Sequence, residues 1–139
     1  FLNRTKEKYD LIFIDAYHGL RYIPPHLTTQ EFFAQCKAHL NPDGLLLMNV
    51  ISSVTGPENG LYRAFATTVK SIFPHVGAAP VSPQDPRKAQ NIVMVATLNH
   101  PFETDNHPIM PISPSLEPLI LTDWKNPIEM LLARQLRTQ

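Results

Sequence analysis

A chain of 139 residues is long enough for one domain with a substantial core and too short for two ordinary domains. Twelve basic residues balance twelve acidic ones, and this zero net charge argues against an extended nucleic-acid-binding surface, which needs an excess of positive charge. The single cysteine excludes an internal disulfide and a multi-cysteine metal site.

The chain begins with a predicted strand. Residues 9–15, YDLIFID, form a short apolar run between two acids, which is typical of a parallel strand covered by helices on both faces. A loop with the Pro24-Pro25 pair leads into a helix, whose start has the spacing of a capping box at Thr28 and Glu31. Residues 41–44, NPDG, predict the end of that helix and a turn.

The alternation of strands and helices continues along the chain. Residues 45–50 predict a second buried strand, and an apolar helical stripe follows between Leu61 and Val69. Two more strands are expected at 75–81 and 91–98. The order βαβαββ predicts an α/β fold with a mainly parallel sheet, and the last two strands are expected to pair antiparallel because no helix separates them.

The C-terminal part has a different composition. Residues 99–121 hold five of the fourteen prolines and predict an ordered arm that crosses the surface. Asn126, with Pro127 after it, predicts the cap of a last short helix. We therefore divide the chain into a main unit, residues 1–98, and a Pro-rich tail with a helix, residues 99–139, that packs on it.

Two polar side chains are expected at one edge of the sheet. Asp15 directly follows the first strand, and Asn49 lies near the end of the next. Ligands bind outside the carboxyl ends of strands in open parallel sheets, and a carboxylate there can take a proton from an amine or hold a cation. The alternative is that Asp15 caps its own loop. Both interpretations stay open on spacing alone.

Three segments resemble the aminopropyltransferases, the family of the spermidine synthases and their relatives. They are FLNRTKEKYDLIFIDAYHG, LTTQEFFAQCKAHLNPDGLLLMNV and the tail LTDWKNPIEMLL. The resemblance implies that residues 1–98 are the C-terminal part of a class I methyltransferase-like, Rossmann-like doubly wound domain. It also implies a role in polyamine biosynthesis, the transfer of an aminopropyl group from decarboxylated S-adenosylmethionine to a diamine. The product is 5′-methylthioadenosine, and no cofactor is tightly bound.

The same resemblance assigns roles to residues. Asp15 matches the family's catalytic acid, which takes a proton from the attacking amine and helps to position it. The other expected site residues are Tyr17, His18 and Asn49 on the substrate side, and Ala16, Pro24 and Pro25 beside the thioadenosine group.

Two departures from the family pattern matter. His18 stands where spermidine synthases usually carry a second acid, so recognition of one cationic end of a diamine is weakened. The 139 residues also lack the glycine-rich loop, the ribose-binding acid and the adenine-binding Asp. We therefore predict that this chain alone binds the nucleoside poorly and does not turn over.

Two other functions stay open. One is an S-adenosylmethionine-dependent methyltransferase of the same fold, and the other is a non-catalytic domain that dimerises. The six scattered histidines do not predict a metal site, and Cys36 is expected to be a core thiol. The expected partners are a diamine, a nucleoside co-substrate and a second copy of the chain, without nucleic acid. The expected location is the cytoplasm, or the cytoplasmic face of a membrane if membrane segments are fused upstream.

Overall fold

The computed structural model describes residues 2–15, 17, 22–101, 109–112 and 119–136. The elements in chain order are β1 (Tyr9–Ile14), α1 (Gln30–Ala38), β2 (Leu40–Ser52), α2 (Gly60–Lys70), β3 (His75–Pro80), β4 (Gln90–Thr97), β5 (Met110–Pro111) and α3 (Ile128–Leu136). The predicted order βαβαββ is confirmed up to β4, and the two-residue β5 lies within the predicted arm. Among these described helices, none combines the length and apolar character needed to cross a membrane.

The strands form one sheet in the order β1-β2-β4-β3-β5. β1 and β2 are parallel, whereas β4 is antiparallel to both β2 and β3. β1, β2 and β3 therefore run in the same direction, and their carboxyl ends meet at one edge. The α/β class and the antiparallel β3–β4 pair are confirmed. The prediction of a mainly parallel sheet holds for strand direction, since β1, β2 and β3 run the same way. Among the described strand pairs, however, only β1–β2 is parallel, because β4 lies between β2 and β3.

The helices cover one face of this sheet. Alternate residues of β2 on that face, Leu46, Met48 and Val50, are buried in a core that also contains Phe33 of α1 and Phe65 of α2. Each such buried side chain contributes about 1.5–3 kcal/mol. The core therefore lies between the sheet and its helices.

The prediction that β1 is covered on both faces is wrong for the opposite face of the sheet. Leu11 and Phe13 of β1 are 51% and 59% exposed, and Leu45 of β2 beside them is 39% exposed. The continuous apolar run of β1 thus has one buried face and one face that the described residues leave open.

The predicted turn at residues 41–44 is wrong, because these residues belong to β2. Tyr9 pairs with Leu40 and Leu11 pairs with Leu45, so five steps along β2 match two along β1 and the extra residues bulge out. Gly44 suits this close approach, since a Cβ would lie 3.0 Å from the carbonyl oxygen of Tyr9 and the backbone would have to shift.

The start of α1 also differs from the prediction. Thr29 is the N-cap, and its hydroxyl accepts a hydrogen bond from the backbone N–H of Phe32 at 3.3 Å. Thr28 instead donates to the carbonyl of Pro25, and Glu31 accepts from the N–H of Asp123. The capping box is therefore not formed, because both side chains hold other parts of the chain.

Candidate active site

Asp15 leaves the carboxyl end of β1 with an exposed side chain. Ile14 pairs with Met48, so the parallel register places Asn49 at the level of Asp15. The side-chain amide of Asn49 donates to Oδ1 of Asp15 over 3.3 Å. The structure thus brings together the two polar residues that the sequence places at this edge, and it leaves the carboxylate open to solvent.

Tyr17 completes this polar group. β1 ends opposite Met48, and the hydroxyl oxygen of Tyr17 accepts a hydrogen bond from the N–H of Ile51 at 2.6 Å. The phenol therefore takes the place of a strand carbonyl. Burial raises the pKa of Tyr17 to about 12, the negative charge of Asp15 adds to the rise, and the hydrogen bond from Ile51 opposes it. The phenol is neutral at physiological pH, and its orientation is fixed.

Several polar atoms near the carboxyl end of β2 keep hydrogen-bonding capacity. The Oδ1 atom of Asn49 and the hydroxyl groups of Ser52 and Ser53 are buried, and none has a hydrogen-bond partner among the residues that the structure describes. A buried polar group without a partner costs about 1–3 kcal/mol. This edge is therefore the part of the described sheet where buried polar atoms lack a partner.

Pro24 precedes and Pro25 begins a short 3-10 turn, Pro25–Leu27, that leads toward α1. The N–H of Leu27 donates to the carbonyl of Pro24, and the N–H of Thr28 donates to that of Pro25. Both prolines are half-buried. The other two predicted site residues, Ala16 and His18, lie outside the described residues.

The opposite edge of the sheet carries a cavity of about 650 Å³. Four of its lining residues have polar side chains, and each holds another protein group. Lys8 and Lys37 donate to the carbonyls of Ala38 and Ile72, and Asn41 and Asn99 donate to the carboxylates of Asp10 and Asp43. Because each of these side chains already links two parts of the protein, this cavity is a weaker candidate for a ligand site than the edge that carries Asp15.

Comparison with known proteins identifies relatives over about half of the chain. No protein-family model matches. A probable polyamine aminopropyl transferase from Bifidobacterium longum is 32% identical over 73 residues, and a polyamine aminopropyltransferase from Vibrio vulnificus is 39% identical over 67 residues. The resemblance to the aminopropyltransferases is confirmed. The matched regions cover 52% and 48% of this chain but only 16% and 20% of the relatives.

Two solved structures share the fold. A probable spermidine synthase from Corynebacterium glutamicum matches with a TM-score of 0.58 and 24% identity, over 73% of this chain and 36% of its own. Human methyltransferase-like protein 13 matches with a TM-score of 0.53 and 18% identity, over 97% of this chain and 50% of its own. The chain therefore has a fold like that of the aminopropyltransferases and of methyltransferases.

The structure adds one residue, Gln135, that sequence reasoning missed. The side-chain amide of Gln135 in α3 donates to the carbonyl of Ile51 at 3.0 Å, so the backbone of Ile51 is held by Tyr17 at its N–H and by Gln135 at its carbonyl. A signal was present in the sequence. Gln135 continues the apolar stripe of Ile128, Leu131 and Leu132 at helical spacing, and a polar residue on such a stripe indicates a buried hydrogen bond.

Proposed function

We propose that this chain forms the amine-binding part of an aminopropyltransferase, with decarboxylated S-adenosylmethionine as donor and a diamine as acceptor. The observation that carries the proposal is the exposed carboxylate of Asp15, which lies at the carboxyl end of β1 beside the side chains of Asn49 and Tyr17. Its negative charge suits a cationic amine. The similarity to polyamine aminopropyltransferases supports the same reaction class.

The proposed step is a single displacement. An ammonium is no nucleophile because a proton occupies its lone pair, so the acceptor must first lose a proton, which Asp15 takes. The amine nitrogen then forms a bond to the aminopropyl carbon that is attached to the sulfonium sulfur. The carbon–sulfur bond breaks, and its electron pair returns to sulfur to give neutral 5′-methylthioadenosine. Asn49 and Tyr17 hold Asp15 and the amine in alignment.

For the nucleoside side of the site we propose which residues form it, without individual chemical roles. Pro24 and Pro25, with Ala16, form the proposed wall beside the thioadenosine group, and His18 is proposed on the substrate side. Because the sequence lacks a glycine-rich loop, we propose that these 139 residues do not turn over alone. A cytoplasmic location and a homodimer belong to the same proposal.

The test is a product assay on the natural full-length protein. Decarboxylated S-adenosylmethionine is supplied with diamines of increasing length, and the products are identified by mass spectrometry. We expect 5′-methylthioadenosine and an elongated polyamine in equal amounts, with no product from the 139-residue chain. Absence of product from the full-length protein with every diamine would contradict the proposal.

A second candidate is a methyltransferase of the same fold. The match to human methyltransferase-like protein 13, solved in complex with SAH, spans 97% of this chain and favours it. The same assay with S-adenosylmethionine and amine acceptors separates the two, because a methyltransferase adds a methyl group and releases SAH. If neither donor raises the thermal midpoint at saturating concentration, the result favours a non-catalytic domain.

A further inference from the structure

Asn126 connects the C-terminal segment to the proline turn. Its side-chain amide donates to the carbonyl of Pro25 at 2.8 Å and to the hydroxyl of Thr28 at 2.9 Å. Its other side-chain atom, Oδ1, accepts from the N–H of Ile128 at 3.2 Å and caps α3. The predicted cap is therefore confirmed, but it uses only half of the side chain.

The proline turn receives one hydrogen bond at Pro25 from outside its own segment. Neither Pro24 nor Pro25 has an N–H, so the backbone at these two positions offers only carbonyl oxygens as anchoring points. The carbonyl of Pro25 accepts three hydrogen bonds, from the N–H and hydroxyl of Thr28 and from the amide of Asn126. Of these three donors, only Asn126 comes from a distant part of the chain.

The segment that carries Asn126 is itself firmly anchored. Leu121 is fully buried, its carbonyl accepts from the N–H of Gln30, and its N–H donates to the hydroxyl of Thr68 in α2. Beyond Asn126, α3 packs Ile128 into the core. Asn126 thus projects from an anchored backbone, which allows its contact to restrain the turn.

We infer that Asn126 is a positioning residue, whose side-chain amide fixes the proline turn as a wall of the nucleoside site. The inference rests on the proposed function only for the ligand, because the hydrogen bonds to the turn exist whatever the site binds. The two ends of the Asn126 side chain therefore have separate roles. The amide N–H₂ group binds the proline turn, and the oxygen caps α3.

Substitutions can separate these two tasks. Asn126→Ser keeps an oxygen that caps a helix well, but it lacks the N–H₂ group and the length needed to reach Pro25 and Thr28. Asn126→Asp also keeps the cap, and it turns a carboxylate toward the Pro25 carbonyl. Asn126→Ala loses both functions. Asn59→Ser is the matched control, because Asn59 precedes α2 and its amide also donates to a loop carbonyl, that of Val54.

The experiment measures amide hydrogen exchange at Leu27 and Thr28, thermal unfolding, and affinity for 5′-methylthioadenosine, all in the natural full-length protein. In Asn126→Ser and Asn126→Asp we expect exchange at these two amides to be about tenfold faster, with affinity weakened by about fivefold and a fall in the thermal midpoint that reflects the two lost hydrogen bonds. Asn126→Ala adds a loss of stability, and Asn59→Ser leaves Leu27 and Thr28 unchanged.

The outcomes are distinguishable. If Asn126→Ser and Asn126→Asp leave exchange at Leu27 and Thr28 as in the wild type, Asn126 is a helix cap only and the inference is overturned. If exchange accelerates but affinity for 5′-methylthioadenosine is unchanged, the turn is restrained without being a wall of the site, which also overturns it. If the wild-type protein binds no nucleoside at all while exchange responds as expected, the proposed function fails and the positioning of the turn stands.

Discussion

Each end of the β1–β2 pair carries an aspartate that accepts a hydrogen bond from an asparagine of β2. At the amino end, Asn41 donates to Asp10 over 2.7 Å, and at the carboxyl end Asn49 donates to Asp15 over 3.3 Å. The pairs consist of the same residue types at the two ends of the same strands. They differ in what surrounds them, and this difference separates a structural contact from a candidate site.

At the amino end, the polar side chains around the cavity are all bonded to other protein groups. At the carboxyl end, Oδ1 of Asn49 has no hydrogen-bond partner within the described residues, and Tyr17 accepts from Ile51 and thereby keeps its own proton for another acceptor. The amino end has a cavity whose polar side chains already hold protein groups, and the carboxyl end has buried polar atoms without a partner beside an exposed carboxylate. A ligand-binding site needs a few polar groups that can contact the ligand, which favours the carboxyl end.

The largest expected effect comes from exchanging the two aspartates for asparagine. Asp15→Asn removes the base and should lower the rate of aminopropyl transfer by about 10²–10⁴-fold in the full-length protein. Asp10→Asn is the matched control and should leave the rate within about twofold, because its hydrogen bond only holds the bulge, at about 1 kcal/mol. Steady-state kinetics and urea unfolding check both. Equal losses of activity in the two variants would break the comparison.

An intermediate effect is expected from Tyr17→Phe. The N–H of Ile51 loses its acceptor, so the free energy of unfolding should fall by about 1–3 kcal/mol. Tyr62→Phe is the control, since Tyr62 is another tyrosine whose pKa is raised by burial but lies in α2, away from Asp15. Urea unfolding at neutral pH measures both variants, and a larger loss in Tyr62→Phe would contradict the role of Tyr17.

Tyr17→Phe should also change how the free energy of unfolding depends on pH above pH 10. The folded state raises the pKa of Tyr17 to about 12 from an ordinary value of 10, so folded Tyr17 keeps its proton where the unfolded chain has lost it. Its contribution to stability is complete below pH 10 and is lost as the pH rises toward 12. Tyr17→Phe should therefore flatten the decline of stability between pH 10 and 12. The decline persists in part, because burial also raises the pKa of Cys36 to about 12.

The smallest effect is expected at the amino-end cavity. Lys8→Met and Lys37→Met each remove a hydrogen bond to a carbonyl and should lower stability by about 1 kcal/mol or less. Neither should change the affinity for a diamine or for 5′-methylthioadenosine, measured by calorimetry. A change of more than about threefold in either affinity would show that the cavity takes part in binding, which the comparison of the two ends rejects.

Local sequence patterns determined the order of elements and the position of Asp15 and Asn49 near strand ends. These features depend on residues that are close in sequence, such as the apolar run of residues 11–14 or the Asn126-Pro127 pair. Parallel strands then bring their carboxyl ends to one edge as a matter of geometry. The Asp15–Asn49 contact was therefore accessible from the sequence, and so was the cap of α3.

Tertiary structure alone decided the remaining features. The insertion of β4 between β2 and β3, the bulge at residues 41–44 and the phenol of Tyr17 on Ile51 each join residues far apart in the chain. The capping-box prediction at Thr28 and Glu31 was wrong for the same reason. Both side chains accept hydrogen bonds from residues about a hundred positions away, Thr28 from Asn126 and Glu31 from Asp123. Periodicity specifies which face of an element is apolar, but a hydrogen bond forms with whichever partner the packed fold brings within reach.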